Sequence, residues 1–118
     1  MNLGRMSSAA LFVSGIAGIV TPEKFLDALD MAATSPRGVA ETRIGLGGTY
    51  AGIGGYALLS RQPGAQRAVA ATWLGAGLVR LGTLQLDRPK TDWTFWAYLT
   101  GELGLGTAAL LASLRRRP

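Results

Sequence analysis

From Ile44 to Ser60 the chain carries no charged side chain, and three other stretches come close to the same condition. A helix that crosses the hydrocarbon core of a bilayer needs about 20 mostly apolar residues. Four segments of the 118-residue chain meet or approach that length: residues 4–20, 43–60, 68–86 and 93–114. The third is interrupted only by Arg80 and the fourth only by Glu102. The expected fold is all-α, a four-helix transmembrane bundle that makes residues 1–118 a single integral membrane domain.

The connections support this division. Ser60 to Arg67, with Pro63-Gly64, and Asp87 to Asp92, with Pro89, read as tight helix–helix turns. The long connection runs from Thr21 to Thr42. Thr21 is suited to cap a helix that has Pro22 at its first position. Phe25, Leu26 and Leu29 then share one face, with Glu23, Lys24, Asp27 and Asp30 largely around the other. This predicts a short amphipathic helix over residues 22–33, lying in the membrane interface and ending near Ser35-Pro36. The first apolar run is not read as a cleaved signal sequence. Pro22, Glu23 and Lys24 follow it directly, and the small residues Ala32-Ala33 come too late.

The chain has no Cys and no His. That removes thiol redox chemistry, zinc thiolate sites, iron–sulfur clusters, the usual haem and zinc ligands and the usual general base. No acidic cluster has the spacing of a hard-cation site. No cofactor and no metal are expected.

Charge distribution orients the bundle. With four spans, one side collects Arg5, Arg61, Arg67, Arg115, Arg116 and Arg117 and no acidic residue. The other side holds all seven acids, with Lys24, Arg37, Arg43, Arg80, Arg88 and Lys90. The positive-inside rule then places both termini of a multi-pass membrane protein in the cytoplasm. The net charge of +5 reflects this topology rather than nucleic-acid binding. Trp93, Phe95, Trp96 and Tyr98 would form an aromatic anchor at the outer interface.

Helices associate in lipid through close backbone approach at small residues. The second span offers Gly48 and Gly52, four apart, beside a second row of Gly47, Ala51 and Gly55. It is therefore expected to be the central helix, with Gly48 and Gly52 against a neighbour. These glycines lie within one apolar run and lack the G-x-G-x-x-G spacing, so they do not make a nucleotide loop.

Arg43, Arg80 and Glu102 are the charges drawn into the spans. A charge in the bilayer core is costly unless paired or hydrated, and marks a site by default. At ~1.5 Å per residue, Arg80 and Glu102 fall at similar depths on helices joined by a short turn. Arg43 opens the second span on the same side. The three are expected to converge. They would form either a structural ion pair or a pocket for an anion or lipid head group, with Tyr50 and Tyr56 as added hydroxyls.

In order along the chain stand Thr21-Pro22-Glu23, Arg43 with Gly47-Gly48 and Gly52, Arg80-Leu81-Gly82, and Glu102. With these motifs the chain resembles a bacterial family of small four-helix membrane proteins, domain of unknown function 4345, loosely akin to DoxX-like proteins. The resemblance implies the four-helix fold and directs attention to Arg43, Arg80 and Glu102. It implies no activity. The leading functional expectation is an accessory or interaction subunit of a larger membrane complex, or a homo-oligomer, in contact with membrane lipids. The alternative is a binder or carrier of a lipid head group or small anion through the Arg/Glu pocket. An enzyme ranks last, because no nucleophile–base pair is visible.

Overall fold

The computed structural model of the protein describes residues 2–115. Arg116 and Arg117, which contributed to the orientation argument, lie outside them. Every regular element among the described residues is helical.

Helix α1 spans Leu3–Val20, and Asn2 caps it: its Oδ1 accepts from the Arg5 N–H at 2.8 Å. The helix stops at Thr21, before Pro22 opens α2 (Pro22–Ala28). Here the chain departs from the expected helix over 22–33. Asp30 takes a left-handed conformation, φ 60°, and the Met31 N–H folds back to the Leu26 carbonyl at 2.8 Å. That turn closes α2 early.

Ser35-Pro36 begins the next helix rather than ending the previous one. The Ser35 hydroxyl oxygen accepts from the Gly38 N–H at 3.1 Å, and Pro36 takes the first helical position. Helix α3 (Pro36–Glu41) passes without a break through a π-helical segment, Thr42–Gly48, into α4 (Thr49–Leu59). The junction residues Glu41, Thr42, Gly48 and Thr49 all keep right-handed helical backbone angles. Residues 36–59 therefore form one rod of ~36 Å. Helix α5 (Pro63–Leu86) starts five residues ahead of the expected span, because Pro63 is its first residue. Helix α6 covers Trp93–Arg115.

Among the described residues, two helices, α1 and α6, are long and apolar enough to cross a membrane. In α5, Gln66, Arg67, Arg80 and Gln85 dilute the apolar character.

The central helix is α1, not the second span. It touches α2, the π segment, α4, α5 and α6, whereas α4 packs mainly on α1. The expected glycine interface is also corrected. A Cβ at Gly52 would meet nothing within 4 Å, and at Gly48 only the Arg43 carbonyl at 3.7 Å, so both face outward. The inward face is one residue round: Gly47, Ala51 and Gly54. A Cβ on Gly47 would sit 2.7 Å from Ile19, and one on Gly15 would strike the Ala51 backbone. Gly55 lies at the edge, with the Phe12 ring 3.2 Å from where its Cβ would be.

The core contains Leu11, Ala57, Ala65, Val69, Ala70 and Ala109, with Tyr50, Ile53 and Trp73 packed against it. Two fully buried serines join the helices. The Ser7 hydroxyl lies 3.0 Å from the Leu3 carbonyl of its own helix and 2.7 Å from the Leu105 carbonyl of α6. The Ser8 hydroxyl lies 3.0 Å from the Gly4 carbonyl and 3.4 Å from Gln66 Oε1 of α5. The Trp73 indole N–H donates to the Ser7 carbonyl at 3.1 Å.

Candidate ligand-binding groove

The short connection after Leu86 makes α5 and α6 antiparallel neighbours, and they share the most extensive contact in the molecule. Arg80 stands about 9 Å from the end of α5 and Glu102 about 14 Å from the start of α6, so an Arg side chain spans the difference. The two meet edge to edge. Arg80 Nε donates to Glu102 Oε1 at 2.7 Å, and Arg80 Nη2 donates to Oε2 at 2.9 Å. Parallel bonds of this kind are the strong form of the Arg–carboxylate contact. The Glu102 side chain is 11% exposed and that of Arg80 23%.

The guanidinium also lies over two rings of α6, with Cζ 5.5 Å from the Phe95 centroid and 5.4 Å from the Tyr98 centroid. Phe95 and Tyr98 thus turn toward Arg80, while Trp93 and Trp96 stay on the outside. The Tyr98 hydroxyl donates to the Ala28 carbonyl at 2.7 Å and ties the end of α2 to α6. The Thr83 hydroxyl donates to the Arg80 carbonyl at 2.6 Å.

This pair forms part of the wall of a groove of about 760 Å³. Leu11, Val13, Ser14 and Ala17 of α1 line it, with Tyr50 of α4, Trp73 and Ala76 of α5, and Ala97, Gly101 and Leu105 of α6. Phe25, Ala28 and Leu29, at the end of α2, line it too. Val13 and Val79 belong to the lining yet are 62% and 69% exposed, so they mark its mouth.

Arg43 does not join this site, contrary to the expected convergence. It sits in the π segment and its Nη1 donates to the Ile19 carbonyl at 2.6 Å, satisfying one of the last carbonyls of α1. Tyr50 lines the groove, but Tyr56 is 63% exposed and lies elsewhere. Trp73, Tyr98 and the α2 residues were not anticipated as lining. Spacing held part of that signal: Tyr98 precedes Glu102 by four residues and shares its helical face. Phe25, Ala28 and Leu29, from the segment expected to lie in the membrane interface, cover one end of the groove.

Among the described residues, no three Asp or Glu side chains gather where they could hold a metal ion. Comparison with protein-family models, with curated proteins and with solved structures returns no match.

Proposed function

We propose that the protein is an integral membrane protein whose lateral groove holds a lipid-like amphiphile, with the polar end at Arg80–Glu102. The observation that carries this reading is the doubly hydrogen-bonded pair set in the wall of an otherwise mostly apolar groove. Ligand sites typically combine such walls with a few convergent polar groups.

The membrane setting is supported by what the helices expose. Leu59, Leu78, Val79, Leu86 and Trp93 are each more than 60% exposed, while small residues such as Ser7, Ser8, Ser113, Ala57, Ala70 and Ala109 fill much of the interior. Lipid, rather than water, suits that distribution. In the proposed topology the rod of residues 36–59 and α5 cross the bilayer together with α1 and α6. The termini are cytoplasmic, in a bacterial inner membrane. Kinship to the four-helix family named above is part of the same proposal.

The test is co-purification. Protein extracted in mild detergent should release a stoichiometric amphiphile into organic solvent, detected by mass spectrometry. Ala76→Phe, which fills the groove, should lose it without loss of helicity. Equal ligand content in both proteins would sink the reading. A reporter fused at the C-terminus tests the orientation, since activity of a periplasmic reporter there would reverse it.

A second reading, an accessory subunit that docks against a larger membrane complex or its own copy, is supported by the outward face of Gly45, Gly48 and Gly52. A Cβ at Gly45 or Gly52 would meet nothing. A bare glycine row on a lipid-facing helix admits close approach of another helix. Gly52→Leu should then shrink the particle seen in mild detergent, and an unchanged particle would remove this reading.

A further inference from the structure

Among the described residues, Arg80 and Glu102 are the only formally charged ones that line the groove, and they neutralise each other. An anion entering beside them would leave a net negative charge in a poorly solvated site, which is costly. A second cation would relieve that cost, but Arg43 is engaged with the Ile19 carbonyl and does not line the groove.

The hydrogen-bond donors are as informative. The hydroxyls of Ser14, Thr72, Thr83 and Tyr98 each donate to a backbone carbonyl. The Trp73 indole N–H does the same. A guanidinium has five N–H groups and accepts nothing. Two of them go to Glu102, along the Nε/Nη2 edge. The remaining donors among the described lining residues are the other N–H groups of Arg80, at its Nη1/Nη2 end, and the Tyr50 hydroxyl.

The groove's volume suits one molecule of modest size, since small-molecule sites run roughly 300–1,000 Å³. Its mouth between Val13 and Val79 opens sideways, where the proposed topology puts acyl chains.

We infer that the groove selects a neutral, single-chain amphiphile whose head group offers carbonyl oxygens, as an ester or amide does, to the free end of the Arg80 guanidinium. The chain lies along Leu11, Trp73 and Leu105. This inference rests on the groove reading proposed above and narrows it: the head group accepts hydrogen bonds and carries no charge.

Trp73 supplies the readout. With Trp93→Phe and Trp96→Phe it becomes the only tryptophan of the three in the chain. The protein, in nonionic detergent at pH 8, is titrated with a monoacylglycerol, a fatty-acid anion and phosphatidylglycerol, each carrying brominated chains that quench indole fluorescence. The monoacylglycerol should quench Trp73 saturably, at a concentration about tenfold below the fatty-acid anion, a difference of ~1.4 kcal/mol. Arg80→Met with Glu102→Leu removes the pair without stranding a charge, and should abolish that preference. Native mass spectrometry of the wild-type protein with the same three probes gives the ranking without any substitution. Equal or tighter binding of either anion overturns the neutral head group but leaves the groove reading standing. Retention of the preference in the double variant overturns the role of Arg80. Failure of all three probes to bind overturns the groove reading itself.

Discussion

Arg80 and Glu102, 22 residues apart in the chain, are joined across α5 and α6 by two parallel hydrogen bonds of 2.7 and 2.9 Å. Each satisfies a charge that the apolar surroundings would otherwise penalise. Removing one partner strands the other, whereas removing both does not. Arg80→Met and Glu102→Leu should therefore each lower thermal stability in detergent by more than the double change does. The cycle should show a coupling of about 1–3 kcal/mol. Simple additivity of the two single effects would mean that the pair does not form.

The inward and outward glycines of the second helical rod make a matched comparison. A Cβ at Gly54 would lie 2.8 Å from Phe12 Cα and 2.8 Å from the Ser8 carbonyl oxygen, so backbone must move to admit it. Gly54→Ala should cost about 1–3 kcal/mol through overpacking. Gly52 meets nothing, and Gly52→Ala should be neutral or gain up to ~1 kcal/mol from helix propensity. Melting profiles of the two variants in the same detergent decide the matter. A reversed order would place the α1 contact on the wrong face.

Tyr98 holds α2 over the groove through its bond to the Ala28 carbonyl. Tyr98→Phe keeps the ring beside Arg80 and removes only that bond. Local stability of α2 should fall by about 1 kcal/mol, seen as faster amide exchange in residues 25–29 with little change in the core of α6. Uniform exchange rates across both proteins would show that the bond does not restrain α2.

Asp92 sets a pH limit on the start of α6. Its Oδ1 accepts from the Thr94 hydroxyl at 2.6 Å and from the Phe95 N–H at 3.2 Å. These bonds, the Thr94 hydroxyl first, hold its carboxyl below the usual carboxylate range. A group with a lowered folded pKa contributes its stability fully above its unfolded pKa, about 3.9 for Asp. It loses that contribution as pH falls through the lowered value. The difference in melting temperature between wild type and Asp92→Asn should stay constant above about pH 5 and shrink below about pH 4. A difference that grows on acidification would contradict the assigned bonds.

Part of the site could be read directly from the chain. The turn after Leu86 is short, so helix rise puts Arg80 and Glu102 at compatible distances from it, and the cost of a lone charge in apolar surroundings turns the two toward each other. Pro22 marked a helix start just as directly, whereas Pro36 and Pro63, which read as a helix end and part of a turn, also occupy first helical turns. Ser35-Pro36 was nonetheless ambiguous, because the same pair suits the end of one helix and the start of the next. The hydrogen bond from Gly38 to Ser35 makes it a start.

Sequence alone determined the all-helical class, where the long helices stop, and how far Arg80 and Glu102 stand from the turn that joins their helices, because these depend on local apolar content, turn residues and a fixed rise per residue. It did not determine which face of each helix turns inward. A helix that is apolar on every side carries no amphipathic signal to say so. Gly47 and Gly48 are neighbours in the chain, yet one touches Ile19 and the other faces outward. The π segment at Thr42–Gly48 adds to this by widening a turn and rotating the residues on either side of it relative to one another. Arg43 lies within that segment and is directed to the Ile19 carbonyl rather than to Glu102. Only the packing of α1 among all its neighbours decided that one arginine, not two, would stand in the groove.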